Sequence, residues 1–392
     1  MPWKEVRPMD ERVQFISRYL DGEKMVDLCR EFGISRKTGY KFVSRYERLG
    51  PAGLEDQSRR PLHSPGKVSD EIERLIVRLK GMKPSWGPKK LKTRLEALHP
   101  GVSMPAASTI GEILERHGLV RQRRRKRFQQ KLYPTGLTIS QAPNDIWAVD
   151  FKGHFRLLNR SYCYPLTVSD LFSRYLVGCE SLQNTRTEPA RECFEALFDE
   201  YGLPERIRSD NGSPFSSVGI GGLSELSVWW MKLGIRPERI KPGHPEQNGS
   251  HERMHRTLKE ETTRPPAHNH LQQQEKFDQF REVFNHERPH EAIAMKTPAS
   301  LYSKSKRPFE EKQLDYPLHD VVRTVNSSGD FRLPGGRFFF LSKALRRQRI
   351  GLRDLGSGIW LVSFSQTDLG YLDTNACKLL PDNPLGGQDL ED

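Results

Sequence analysis

The stretch Lys241-Pro242-Gly243-His244-Pro245-Glu246-Gln247-Asn248-Gly249-Ser250-His251-Glu252-Arg253-Met254-His255-Arg256-Thr257-Leu258-Lys259 decides how the chain is read. Its first half is a loop, because Pro242, Gly243, Pro245 and the Asn248-Gly249 pair all disfavour regular structure. Its second half is a helix, with Glu252, His255, Arg256 and Lys259 at i, i+3, i+4 and i+7 on one face. A carboxylate therefore stands in the first turn, with cations behind it. Two upstream segments, Trp147-Ala148-Val149-Asp150-Phe151 and Ile207-Arg208-Ser209-Asp210-Asn211-Gly212, each end an apolar run with one aspartate. Asp150, Asp210 and Glu252 are read together as one metal-binding triad.

The chemistry behind that grouping is the cost of burying charge. Asp150 follows Ile146-Trp147-Ala148-Val149, a strand buried along most of its length, where an unpaired carboxylate is expensive. Taken singly, Asp150 is a salt-bridge partner and Asp210 a turn residue. Two strand-end carboxylates and one on a helix, however, can converge on hard divalent cations. Two such ions activate an attacking oxygen and stabilise the leaving oxygen of a phosphodiester.

A chain of 392 residues is too long for one core and suggests two to four domains. With 35% hydrophobic and 29% charged residues it reads as soluble and rather polar. No apolar run approaches a membrane span, and Met1-Pro2-Trp3-Lys4-Glu5 does not lead into a signal-peptide core, so no membrane partner is expected. Five widely spaced cysteines without a CxxC argue against a disulfide framework and a zinc site, and for a reducing compartment. The net charge of +13 is unevenly placed: residues 1–135 carry 30 Lys and Arg against 16 Asp and Glu, and the remainder is close to neutral. That is the footprint of a polyanion-binding front half, and nucleic acid is favoured over membrane because no strongly apolar face accompanies it.

Residues 10–50 read as three short helices, the third capped by Ser35 with Tyr40, Val43, Tyr46 and Leu49 turned inward. Its other face holds Arg36, Lys37, Lys41 and Arg45, the helix-turn-helix pattern with a basic third helix for the major groove. Residues 58–66 form a linker rich in Pro, Ser and Arg. A second helical set follows at Ser69–Met82, Gly87–Leu98 and Ala107–His117, with Lys89 and Lys90 in the first turn of its middle helix. Arg121 to Arg127 then holds six cations in seven residues; Arg123, Arg124, Arg125, Lys126 and Arg127 are expected to grip phosphates. Residues 144–300 alternate three strands with helices and strands, an α/β layer with a mixed sheet. From about Asp320 to Leu380 short strands between Gly, Asp and Ser turns suggest a small all-β barrel or sandwich, with a basic stripe at Arg346, Arg347, Arg349 and Arg353.

These motifs resemble the integrase core of retroviral integrases and bacterial insertion-sequence transposases, the Asp-Asp-Glu recombinases with an RNase H-like fold. The resemblance is carried by Trp147-Ala148-Val149-Asp150, by Ser209-Asp210-Asn211-Gly212, and by His244-Pro245 and Asn248-Gly249 leading to Glu252, with Lys259 seven positions on. It covers residues 10–305 well and the C-terminal part weakly. The order it implies is helix-turn-helix domain 1–57, linker 58–66, second helix-turn-helix-like domain 67–120, basic linker 121–140, integrase core 141–305, β-barrel 318–382 and an acidic tail 383–392 expected to be disordered.

One choice needs physics as well as counting. Glu246 has 35 residues between it and Asp210, the spacing of retroviral integrases, whereas Glu252 has 41. Glu246 follows a proline in a loop, while Glu252 is held by a helix, and a metal ligand needs a fixed position. Glu252 is therefore chosen, the extra length being placed in the glycine-rich Ser217–Gly222.

The resemblance implies a DNA transposase that binds terminal repeats of double-stranded DNA, cuts one strand at each end to expose a 3′-hydroxyl, and joins it to target DNA. Two Mg2+ ions per site are implied, with Mn2+ as a substitute. Arg256, Lys259 and His255 would hold the DNA backbone nearby. Asn211 and Asn248 are turn formers that can order the loops, and Asp170 begins a turn and is a poor fourth ligand. A homo-oligomer, at least a dimer on paired DNA ends, is implied, as is a bacterial cytoplasmic location, nucleoid-associated when on DNA. Two other readings stay open: a catalytically silent DNA-binding regulator, and a metal-dependent nuclease that only hydrolyses.

Overall fold

The computed structural model describes residues 8–56, 68–120, 137–217, 222–241, 249–311, 315–333 and 335–380. The chain divides into two compact units, Met1–Lys67 and Val68–Asp392. Within the described part of the first lie α1 (Pro8–Leu20), α2 (Met25–Glu31) and α3 (Arg36–Leu49), packed around Phe15, Ile16, Leu28, Cys29, Val43 and Leu54. Ser35 caps α3 by accepting from the Thr38 N–H. The inward face of α3 differs from the one expected. Tyr40 and Leu49 are exposed, and Gly39 takes the inward place, where an added Cβ would lie within 3.0 Å of Met25, Cys29 and Phe15. The close approach of α1 and α2 thus needs the glycine, and the aromatic ring of Tyr40 is left on the basic face.

The second unit begins with α4 (Asp70–Met82), α5 (Pro88–Leu98) and α6 (Ala107–Arg116), built around Trp86, Leu91, Leu95, Ile110, Ile113 and Leu114. The α/β layer follows with β1 (Ile146–Phe151), β2 (Phe155–Arg156), β3 (Tyr162–Asp170), β4 (Leu176–Leu182), α7 (Thr187–Tyr201), β5 (Arg206–Ser209), α8 (Glu225–Lys232), β6 (Arg236–Arg239), α9 (Gly249–Thr262) and α10 (His270–Glu282). Strand β3 pairs antiparallel with β1, β2 and β4, while β5 pairs parallel with both β1 and β6. This mixed six-stranded sheet, four strands joined by antiparallel pairing and two added in parallel, is the RNase H-like arrangement that was expected.

Strand alternation decides what faces what. Trp147 and Val149 of β1, with Leu166 and Val168 of β3, pack against Ala190, Phe194 and Phe198 of α7 and Trp230 of α8. The opposite face of the sheet, with Cys163, Leu176 and Cys179, packs against Met254 and Leu258 of α9 and Phe277 and Phe280 of α10. Asp150 and Thr167 are one step out of phase with the first set, so both belong to the α9 side.

The C-terminal part is all-β: β7 (Val321–Thr324), β8 (Asp330–Arg332), β9 (Phe338–Phe340), β10 (Arg349–Asp354), β11 (Ile359–Phe364), β12 (Thr367–Asp373) and β13 (Lys378–Leu380). A five-stranded antiparallel sheet, ordered β13-β12-β11-β10-β7, shares one apolar core with the β8–β9 hairpin. Val228 and Met231 of α8 complete that core, so the β domain is built directly onto the α/β layer. Among the described residues no helix is long and apolar enough to cross a membrane, and all five cysteines are free.

Candidate active site

Asp150 stands where β1 leaves the core. The four residues before it, Ile146 to Val149, are fully buried, and its own side chain remains 24% exposed. Burial first, then the like charge of Asp210 and to a smaller extent that of Glu252, push its carboxyl up to about 7. The three acids therefore share one electrostatic neighbourhood, although they come from positions 60 and 42 residues apart.

Asp210 follows the last residue of β5, Ser209, which is itself buried. The Gly212 N–H donates to Asp210 Oδ1 at 3.1 Å, and a Cβ on Gly212 would stand 3.0 Å from Oδ2, so any larger residue would press on the carboxylate that this turn holds. Asn211 donates to the carbonyl of Ile240 at 2.8 Å, tying the exit of β5 to the exit of β6. Glu252 lies exposed in the first turn of α9. Arg256 and Lys259, one and two turns further, are exposed as well.

The opposite side of α9 is buried through His251, Met254, His255, Leu258 and Thr262. His255 is thus not among the residues free to touch DNA, contrary to the face assigned from its spacing. Thr167 Oγ1 stands 2.7 Å from Nε2 of His255 and 2.9 Å from Nε2 of His251. His255 Nδ1 lies 3.6 Å from Asp150 Oδ2. Burial holds both imidazoles well below their ordinary values, His251 at about 4, so they are neutral and this approach to Asp150 is not an ion pair. Asp170, by contrast, accepts from the Asn144 N–H and from the Ser173 N–H and hydroxyl, which occupies it in holding a buried turn.

Three carboxylates make a hard, all-oxygen donor set, which suits Mg2+ or Mn2+ and not zinc. Among the described residues no three His, Cys, Asp or Glu side chains are close enough together to hold one ion. Like charges repel, and the Asp150–Asp210 repulsion is part of what raises the Asp150 carboxyl.

The other residues singled out from the sequence fall in different surroundings. Arg36, Lys37 and Lys41 are exposed on α3 and Arg45 is half-buried. Lys89 lies 3.9 Å from Glu291, and Lys90 is half-buried beside Arg288, at the junction of α5 with the α/β layer. Arg123, Arg124, Arg125, Lys126 and Arg127 lie outside the described residues, as do His244, Glu246 and Asn248, most of the glycine-rich Ser217–Gly222, the linker 58–66 and the acidic tail.

Family models match the chain in four places: an integrase core domain over residues 140–245 and again over 233–298, a helix-turn-helix domain over 11–61, and a homeodomain-like domain over 38–114. The two integrase-core matches together span residues 140–298, and both helix-turn-helix-type matches lie before them. A 39.2 kDa protein of insertion element IS476 from Xanthomonas euvesicatoria is 25% identical over 290 residues, 72% of this chain and 79% of that protein. The Gag-Pol polyprotein of baboon endogenous virus is 33% identical over 130 residues, 32% of this chain but only 7% of the polyprotein. The HTLV-2 integrase catalytic core domain, solved in complex with magnesium, overlaps 41% of this chain and 98% of its own with 16% identity and a TM-score of 0.33. The order of these matches, helix-turn-helix first and integrase core after, agrees with the order read from the sequence.

Proposed function

We propose that the chain is a transposase that binds the terminal repeats of a mobile element, exposes their 3′-hydroxyls and joins them to target DNA. The observation that carries this reading is that the charges of Asp210, beyond β5, and Glu252, on α9, both bear on the Asp150 carboxyl near the end of β1, within the stretch that matches an integrase core. Two Mg2+ ions held by these three carboxylates would supply activation of the attacking oxygen and charge stabilisation of the leaving one.

Two displacements at phosphorus are required. In the first, a water oxygen bonds to the scissile phosphorus as the P–O3′ bond breaks; the water loses a proton to solvent and the departing 3′ oxygen gains one. In the second, that 3′-hydroxyl oxygen bonds to a target phosphorus, a target 3′ oxygen leaves, and one proton again moves from nucleophile to leaving group. Neither step needs a Ser or Tyr nucleophile. Asp150 is held near the C-terminal end of the interior strand β1, and Asp210 by its Gly212 turn. Glu252 projects from a helix whose other side is packed. Arg256 and Lys259, exposed on the Glu252 side of α9, are suited to grip the phosphate backbone beside the reacting one. Arg36, Lys37, Lys41 and Arg45 would set α3 in a major groove, with the cations from Arg123 to Arg127 on flanking phosphates. Paired ends call for at least two copies of the chain.

The test is a joining assay with purified protein, Mg2+, a labelled terminal-repeat duplex and a plasmid. Joined products that vanish in Asp150→Asn, Asp210→Asn and Glu252→Gln, with end binding retained, support the reading. Nicking without joining points to a nuclease, and binding without either to a regulator. Joining that survives Glu252→Gln but is lost in Glu246→Gln overturns the choice of Glu252.

A further inference from the structure

We infer that Thr167 is a positioning residue, which sets helix α9, and with it Glu252, in register against the strand that carries Asp150. The inference rests on the metal-binding reading of the triad and adds a residue to it that the motifs do not contain.

Thr167 is fully buried, and in the β1–β3 pairing it is the direct cross-strand partner of Asp150. Its hydroxyl meets three groups. It lies 3.1 Å from the Asp150 carbonyl, 2.7 Å from His255 Nε2 and 2.9 Å from His251 Nε2. A threonine hydroxyl has one hydrogen and two lone pairs. One hydrogen cannot serve all three, so at least one of the two imidazoles donates to this oxygen from Nε2. The Ser169 hydroxyl stands 3.2 Å from His251 Nδ1. His255 Nδ1 is left facing Asp150 Oδ2.

His251 and His255 are one helical turn apart, and Glu252 lies next to the first of them. One oxygen thus pins two successive positions of the first α9 turns to the strand pair beneath. Met254 and Leu258 also bind α9 to the sheet, but apolar contact is not directional and permits sliding by a fraction of an ångström. A donor–acceptor triangle does not. The partners of ligating groups commonly decide metal affinity in this way, by holding the ligand and not by touching the ion.

The test uses the full-length chain as wild type, Thr167→Val and Thr167→Ser. Valine keeps the shape and removes the oxygen; serine keeps the oxygen. Calorimetric titration with Mn2+ alone should show affinity about 10–100-fold weaker in Thr167→Val and largely restored in Thr167→Ser, with terminal-repeat binding unchanged. Nitrogen NMR of histidine-labelled wild type should show at least one of His251 and His255 as the Nε2–H tautomer. Undiminished Mn2+ affinity in Thr167→Val overturns the inference, and so does finding both histidines as Nδ1–H tautomers, a result that stands even if the valine variant fails to fold. If wild type binds no Mn2+, or Asp150→Asn binds it equally well, the triad reading itself has failed and the positioning role falls with it. That pattern is distinct from an undisturbed Thr167→Val in a chain that does bind.

Discussion

Removing the carboxylate of Glu261 should loosen α9 by about two orders of magnitude in opening equilibrium. Glu261 ends the helix that Glu252 begins, roughly 14 Å away at the rise of an α-helix. It receives Arg288 at 3.0 Å, and Ser85 of the α4–α5 connection donates to the same oxygen at 2.5 Å. Arg288 is only 8% exposed, and burial holds its guanidinium below its ordinary value, the Glu261 charge working against that. In Glu261→Gln the buried cation loses its counter-charge. Breaking one side of such a pair costs about 3–5 kcal/mol, and the 28% exposure of Glu261 favours the lower end. About 3 kcal/mol corresponds to a roughly 10²-fold change in an equilibrium constant. Hydrogen–deuterium exchange of the α9 and α5 amides should therefore accelerate by that factor, while amides of α3 stay unchanged. Arg288→Met should do less, because the carboxylate it leaves behind can reach water. Acceleration of less than about tenfold in Glu261→Gln, or a larger effect in Arg288→Met, would refute the reasoning.

The exposed cations of α3 and the occupied ones of α5 should differ in kind. Lys37→Ala and Lys41→Ala should each weaken duplex binding and lower the slope of log affinity against log salt by about one, measured by fluorescence anisotropy across a salt series. Lys89→Ala should leave that slope nearly unchanged. Lys90 provides a pH test of the same junction: burial first, and then Arg288, lower its ammonium from 10.5 to about 8. Between those values the unfolded chain binds more protons than the folded one, so stability should rise as pH climbs from 8 to 10.5. Urea midpoints across that range should show the slope in wild type and a flatter one in Lys90→Met.

Helices and buried strands were legible wherever the apolar pattern was strong. The helices expected at Ser69–Met82, Gly87–Leu98 and Ala107–His117 lie at Asp70–Met82, Pro88–Leu98 and Ala107–Arg116. Strand β6 was not anticipated, because Arg236-Pro237-Glu238-Arg239 has no apolar run. It is an edge strand paired only with β5, where proline is tolerated, and Glu238 is held by the largely buried Arg208 at 2.6 Å. The placement of His255 failed for a geometric reason. At 100° per residue, i+4 and i+7 lie within about 40° of Glu252, but i+3 lies about 60° away on the far side, at the margin of the buried stripe. The usable signal was His251 and His255 at i and i+4 beside Met254 and Leu258, a buried stripe edged by two imidazoles. No sequence signal pointed to Thr167, since its importance comes from a cross-strand register that only the fold creates.

The charge asymmetry also changes meaning once the fold is known. Helices α3 and α5 carry the same signature, a run of Lys and Arg opening a short amphipathic helix. Around α3, Arg36, Lys37 and Lys41 are exposed and enter no ion pair among the described residues. Around α5 and its approach, Lys83 and Arg94 meet Glu287, and Lys89 meets Glu291, all across the junction with the α/β layer. Part of the basic excess of residues 1–135 is therefore matched by acids of the near-neutral remainder. Among the described residues, the charge left over for a polyanion is smaller than the count implies and is weighted toward α3. A docked α5 also explains why the second helical module belongs to the same compact unit as the integrase core while the first does not. The first module keeps its basic face exposed, and the second is the mount that holds the far end of α9 still.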